Sequence, residues 1–143
     1  MNIVIDASVL IKLYVPEILS AKADELFSEA QTKNIVLLAP DLIYPETGNI
    51  LWKKNRLKEL SLHEVNEISG AIASLPLTIE PSKPLFQLAV NVGATYNITA
   101  YDALYVSLAS IYKTKLVTAD KKLVTALSKS VLKNNIIWLG AYP

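Results

Sequence analysis

Short, mostly apolar runs recur along this chain, and the stretches between them carry helical spacing. The runs are Asn2 to Ile5, Ile35 to Ala39, Leu77 to Ile79, Lys115 to Thr118 and Ile136 to Leu139. Runs this short with consecutive apolar residues, as in Ile3-Val4-Ile5 and Val36-Leu37-Leu38-Ala39, predict strands buried on both faces, as in a parallel sheet. Ser8 to Tyr14 predicts a turn or two of helix, which Pro16 interrupts. Ala23, Leu26, Phe27 and Ala30 give Ile18 to Lys33 a helical period, and Leu42, Ile43, Ile50 and Leu51 do the same for Asp41 to Arg56, with Pro45 near its start. Further helices are predicted over Ser61–Ser74, over Pro81–Tyr96 with Pro84 near the first turn, over Ala100–Tyr112 behind Thr99 as N-cap, and over Asp120–Lys129. No linker, repeat or low-complexity segment breaks the alternation. It predicts one α/β domain over residues 1–143 with a mainly parallel sheet.

Composition narrows the chemistry. A chain of 143 residues can bury roughly 68% of its unfolded surface and needs no covalent staples. A hydrophobic content of 52% predicts a full core plus an apolar face for a partner or a second copy. No apolar stretch approaches the ~20 residues of a bilayer helix, and Met1 to Asp6 lacks the basic flank and long apolar region of a signal peptide, so the expectation is a cytoplasmic protein with no membrane contact. The absence of cysteine excludes disulfides, thiolate metal sites and cysteine nucleophiles, leaving oxygen ligands or the single histidine. His63 lies in Ser61-Leu62-His63-Glu64, where Ser and Glu have capping-box spacing, which predicts a solvated first turn rather than a ligand. The net charge of +1 creates no large basic field, so whole-chain charge neither demands nor excludes nucleic acid.

Four acids stand out. Asp6 ends the first buried strand, Asp120 directly follows the fourth, Asp102 falls in the first turn behind Thr99, and Glu46 sits in an apolar helix start. In an open parallel sheet, ligands bind beyond the carboxyl ends of the strands, where Asp6 and Asp120 are expected. Asp102 faces the positive end of a helix dipole. Isolated buried carboxylates shift their protonation or find a cation. An oxygen-only donor set suits a hard ion, Mg²⁺ or Mn²⁺. Simpler readings stand beside this one: Asp102 and Asp120 as dipole or capping acids, and Glu46 as an ordinary exposed helix residue.

The residues around these acids resemble the PIN-domain nucleases, most closely the VapC-like toxins of prokaryotic toxin–antitoxin pairs. Ile3-Val4-Ile5-Asp6-Ala7-Ser8 is similar to the family's first strand and acid. Pro40-Asp41-Leu42 with Glu46, Asn49 and Leu51 is similar to the second segment. Tyr101-Asp102-Ala103-Leu104-Tyr105 with Ser107-Leu108-Ala109 resembles the third, and Leu116-Val117-Thr118-Ala119-Asp120-Lys121-Lys122-Leu123 the fourth. Each motif is weak alone; their order and spacing over most of the chain make the combination specific.

The resemblance implies a three-layer α/β/α fold and metal-dependent hydrolysis of RNA phosphodiester bonds. It implies Asp6, Glu46, Asp102 and Asp120 as the metal-holding catalytic acids, and Ser8 and Thr118 as supporting hydroxyls. One or two ions are both compatible with it. It also implies a small antitoxin partner and a homodimer. RNA entering an acidic cleft calls for cations at the rim. The candidates are Lys12, Lys53, Lys54, Arg56, Lys121 and Lys122, with Lys58 in the same basic run; Tyr14, Trp52 and Tyr101 are candidate base-stacking residues. Alternative functions are RNA maturation and a non-catalytic RNA- or protein-binding module on the same fold. A dehalogenase-type phosphotransfer site fails locally, because Ser8 stands where a second Asp is wanted.

Overall fold

The computed structural model describes residues 1–143. Five strands, β1 (Asn2–Ile5), β2 (Val36–Pro40), β3 (Thr78–Glu80), β4 (Lys115–Thr118) and β5 (Ile136–Trp138), lie in the order β3-β2-β1-β4-β5. Every neighbouring pair is parallel, so the mainly parallel sheet expected from the sequence is wholly so. The central strands carry the deepest residues: Val4, Ile5, Leu116 and Val117 have no exposed surface. That burial on both faces is why their sequence is apolar without alternation.

Seven helices complete the fold: α1 (Ala7–Tyr14), α2 (Ser20–Thr32), α3 (Ile43–Arg56), α4 (Leu62–Ala73), α5 (Phe86–Tyr96), α6 (Ala100–Ile111) and α7 (Lys121–Leu127). The chain steps one way across the sheet from β1 to β3 and the other way from β4 to β5. Right-handed crossovers then place α1–α4 on one face and α5–α7 on the other. The packing agrees, with α1 against α2 and α3, α3 against α4, and α5 against α6. The result is a three-layer α/β/α domain.

Most departures from the sequence pattern occur at helix ends. The helix expected from Ile18 begins at Ser20, because Leu19 is left-handed (φ 73°) and the Ser20 hydroxyl accepts from the Glu17 N–H instead. The stretch expected as one helix from Pro81 splits into a 3₁₀ turn, Lys83–Leu85, and then α5; Pro84 has no N–H to give a regular α-turn. α7 stops at Leu127 rather than Lys129, and an unforeseen 3₁₀ turn, Val131–Asn135, is capped by the Ser130 hydroxyl accepting from the Leu132 N–H. The capping box is present at Ser61 and Glu64, and His63 stands 82% exposed beside Glu67. No helix is long and apolar enough to cross a membrane. Some of the apolar surplus lies on the surface, in Phe86, Leu88 and Val90 of α5 and in Tyr101 and Ile111 of α6.

Gly93 allows α5 to end against the start of α6. A methyl group there would come within 2.9 Å of the Ile98 carbonyl and 3.6 Å of the Ala100 nitrogen. Gly70 in α4 faces open space. Gly→Ala in a helix gains about 1 kcal/mol in propensity, whereas overpacking against backbone costs about 1–3 kcal/mol. Thermal denaturation should therefore show Gly70→Ala more stable than the parent and Gly93→Ala less stable; two shifts of the same sign would contradict this packing.

Candidate active site

The sheet changes direction between β1 and β4, which are neighbours although the chain leaves them towards opposite edges. Strand-to-helix turns diverge at such a point and leave a crevice at the carboxyl ends. Asp6 follows β1 there. Because Ile5 is in register with Val117, Asp6 comes beside Thr118 at the end of β4.

Asp6 is 7% exposed and is the N-cap of α1. Its Oδ1 accepts from the Ser8 hydroxyl at 2.5 Å and the Val9 N–H at 3.2 Å, while its Oδ2 accepts from the Thr118 hydroxyl. Ser8 Oγ also accepts from the Ala119 N–H at 2.9 Å, and Thr118 Oγ1 accepts from the Asp120 N–H at 3.0 Å. Both hydroxyls therefore bind the first acid to the turn after β4. Ser8 is not the cap of α1, since Asp6 fills that position, and Thr118 is the last residue of β4.

The other acids arrive on helix starts. Glu46 occupies the first turn of α3, where its Oε1 accepts from the buried Tyr105 hydroxyl at 2.5 Å. Asp102 lies in the first turn of α6, its N–H donating to the Thr99 cap at 3.1 Å. Asp120 caps α7, its Oδ1 accepting from the Lys122 and Leu123 N–H groups at 3.0 and 3.3 Å. The capping role weighed for Asp120 is thus real, and the role leaves its second carboxylate oxygen without a bond in the protein.

Burial dominates the electrostatics. It pushes Asp6 up to about 6, overcoming the lowering by Ser8, Thr118 and Val9, and the Asp102 charge adds to the rise. Burial likewise raises Asp102, with Asp120 adding to it, and raises Glu46, with Asp102 adding to it against the opposing bond from Tyr105. Asp102 is thus in electrostatic contact with the other three. None of the four acids forms an ion pair with Lys or Arg. A set of oxygen donors with uncompensated charge fits a hard divalent cation. As the side chains stand, no three of them converge as a finished coordination shell, so the fit is one of charge and donor type.

The candidate cations divide. Lys12 and Lys54 converge on Glu17 at 3.1 and 2.9 Å, and Lys54 also reaches Glu59 at 3.4 Å. Arg56 lies over Trp52, 5.6 Å from the ring centroid, and Lys121 over Trp138 at 4.3 Å. Lys53, Lys58 and Lys122 are exposed and carry no ion pair. Trp52 and Tyr101 are exposed, whereas Tyr14 packs against the core. Sequence reasoning missed Tyr105 as the partner of Glu46, although its spacing of three from Asp102 on a helix puts both on one face. It also missed Glu17 and Trp138, for which the sequence carries no local signal.

The PIN domain family matches residues 3–126. Ribonuclease VapC3 of Pyrobaculum aerophilum is 32% identical over 125 residues, covering 86% of this chain and 92% of that protein. A protein of known crystal structure from the same organism superposes with a TM-score of 0.69 at 25% identity, over 88% of this chain and 79% of the other. Mycobacterium tuberculosis VapC20, described as a toxin that cleaves the sarcin-ricin loop, superposes with a TM-score of 0.67 at 15% identity, over 87% and 94%, a likeness of fold alone.

Asp6→Asn should stabilise the metal-free protein at neutral pH. Between pH 3.8 and about 6 the unfolded chain releases the Asp6 proton before the folded chain does, so raising pH through this window destabilises the fold. The amide removes that cost, roughly 1–3 kcal/mol in the ceiling set by the shift. Denaturant melts in EDTA should show the variant more stable than the parent at pH 7.5 and the difference shrinking towards pH 4. A difference independent of pH would contradict the burial of an unpaired charge here.

Proposed function

We propose, from the premise that this chain belongs to the PIN-domain family, that it is a ribonuclease that hydrolyses RNA phosphodiester bonds with Mg²⁺ or Mn²⁺ and acts as the toxin of a toxin–antitoxin pair. The observation that carries the reading is the set of four acids at the β1/β4 crevice, none of them in an ion pair with a lysine or arginine. The similarity to a VapC ribonuclease over most of both chains supports the substrate class, and the toxin role rests on the motifs that resemble VapC-like toxins.

Asp6, Glu46, Asp102 and Asp120 would hold the cation, with Asp6 innermost. When bound, the ion would lower the pKa of a water and neutralise charge building on the phosphate oxygens. The chain's own residues do the positioning. Ser8 and Thr118 fix both oxygens of Asp6, and Tyr105 fixes one oxygen of Glu46, so each acid retains a defined direction when its repulsive neighbours ionise. The N-termini of α1, α6 and α7 present their positive ends at the same edge, which favours both the carboxylates and an incoming phosphate. The apolar residues exposed on α5 and α6 suit a homodimer, and an antitoxin of a neighbouring gene is the expected inhibitor.

Purified protein should cleave RNA with Mn²⁺ or Mg²⁺ and lose that activity in EDTA. Asp6→Asn and Asp102→Asn should fold like the parent and lose cleavage by at least about two orders of magnitude, the usual scale for removing a charge-stabilising group. Cleavage that persists in EDTA or in both variants would overturn the assignment. RNA that binds and stays intact under every divalent ion would favour the non-catalytic module.

A further inference from the structure

We propose that Trp138 is a positioning residue that holds the Lys121 ammonium at the rim of the acid cluster, as a contact for an RNA phosphate beside the one being cut. The inference rests on the RNA-cleaving reading above and adds to it a specific phosphate contact and the residue that prepares it.

Placement comes first. Trp138 ends the edge strand β5 and is in register with Thr118, whose hydroxyl bonds Asp6. Lys121 directly follows Asp120 and opens α7. Both residues therefore lie at the carboxyl edge of the sheet, next to two of the four acids. The far edge of the ring lies against Gly140: a methyl group there would fall 2.4–2.6 Å from three of its carbons, so the indole keeps this place beside a glycine and would have to shift for any larger residue. Over this ring the Lys121 ammonium lies 4.3 Å from the centroid.

The other cations lack this combination. Lys12 and Lys54 are already engaged by Glu17, and Lys54 by Glu59 as well. Arg56 also rests on an indole, but ten positions after Glu46, about 15 Å along α3. Lys121 has no carboxylate within ion-pair distance and is held by a neutral π-face. An ammonium on an aromatic face is oriented without losing its capacity to bind an anion. A lysine ordered before RNA arrives also loses less side-chain freedom on binding it. Adjacent to acids that repel the RNA backbone, a pre-placed cation sets which phosphate approaches first.

The test measures binding of a short fluorescein-labelled, mixed-sequence single-stranded RNA in EDTA, where cleavage plays no part and the acidic repulsion is common to all variants. Trp138→Ala and Lys121→Ala should each weaken binding about three- to tenfold and lower the salt dependence, the slope of log K against log salt, by about 0.7, the amount for one phosphate contact on a single strand. The double variant should be no weaker than either single one, and Trp138→Phe should retain most of the affinity because it keeps a π-face. With Mn²⁺ present, the same variants should raise KM more than they lower kcat. Circular dichroism selects folded variants, and Lys121→Gln with Trp138→Phe carries the test if Trp138→Ala does not fold.

Unchanged affinity in Lys121→Ala or Lys121→Gln overturns the proposal. Additive losses in the double variant, with an unchanged salt slope for Trp138→Ala, overturn it in favour of a base stacking directly on the indole. The outcomes separate from those for nuclease activity. A parent that cleaves RNA while the variants bind normally sinks only this inference. A parent that binds RNA without cleaving it sinks the nuclease reading and leaves the binding comparison to decide this one. A parent that does not bind RNA sinks both.

Discussion

The hydrogen bonds from Ser8 and Thr118 to Asp6 are the constraint on which the site depends. Thr118 ends β4 and Ser8 lies just beyond β1, two strands that are neighbours in space and more than a hundred positions apart in sequence. Parallel pairing in a fixed register brings the first acid and the hydroxyl of β4 together; a slip of one residue would turn Thr118 to the other face of the sheet. The same bonds join the turn after β1 to the turn after β4, so the crevice at the sheet's reversal has fixed walls. The other acids are then delivered by helix starts, which need no register of their own.

This arrangement sets stability against charge. Hydroxyls and helix N-termini favour the ionised carboxylates, yet burial outweighs them at Asp6 and raises Glu46 and Asp102 as well. A protein selected only for stability would place a lysine or arginine in such a cluster, or replace its acids with apolar residues. Here none of the four acids has a lysine or arginine within ion-pair distance, and Lys12 and Lys54 are held by Glu17. The uncompensated charge is thus a property of the fold, and it is what the proposed divalent ion would offset.

Much of this was legible in the sequence, and the physical reasons for the rest are specific. The strands were readable because burial on both faces leaves a continuous apolar run, as in Ile3-Val4-Ile5 and Leu116-Val117. Asp102 was readable from Thr99, since a cap and a first-turn acid are local. Lys12 and Lys54 read as free cations because their shared partner, Glu17, is held near them by the packing of α1 on α3 and not by spacing. Tyr105 and Glu46 lie 59 positions apart, and Trp138 meets Lys121 only through the pairing of β5 with β4. The single 3₁₀ turns at Lys83–Leu85 and Val131–Asn135 are too short to leave a period.

Burial and mutual repulsion disfavour the ionised forms of Asp6, Glu46 and Asp102, and the proposed cation would relieve them. Mn²⁺ titration followed by thermal unfolding at a series of pH values tests this relief directly. Saturating Mn²⁺ should raise the unfolding temperature at pH 7.5, the rise should fade as pH falls through about 6 where Asp6 takes up its proton, and Asp6→Asn should abolish it. An unfolding temperature indifferent to Mn²⁺ at every pH, or a rise of equal size in Asp6→Asn, would contradict the account.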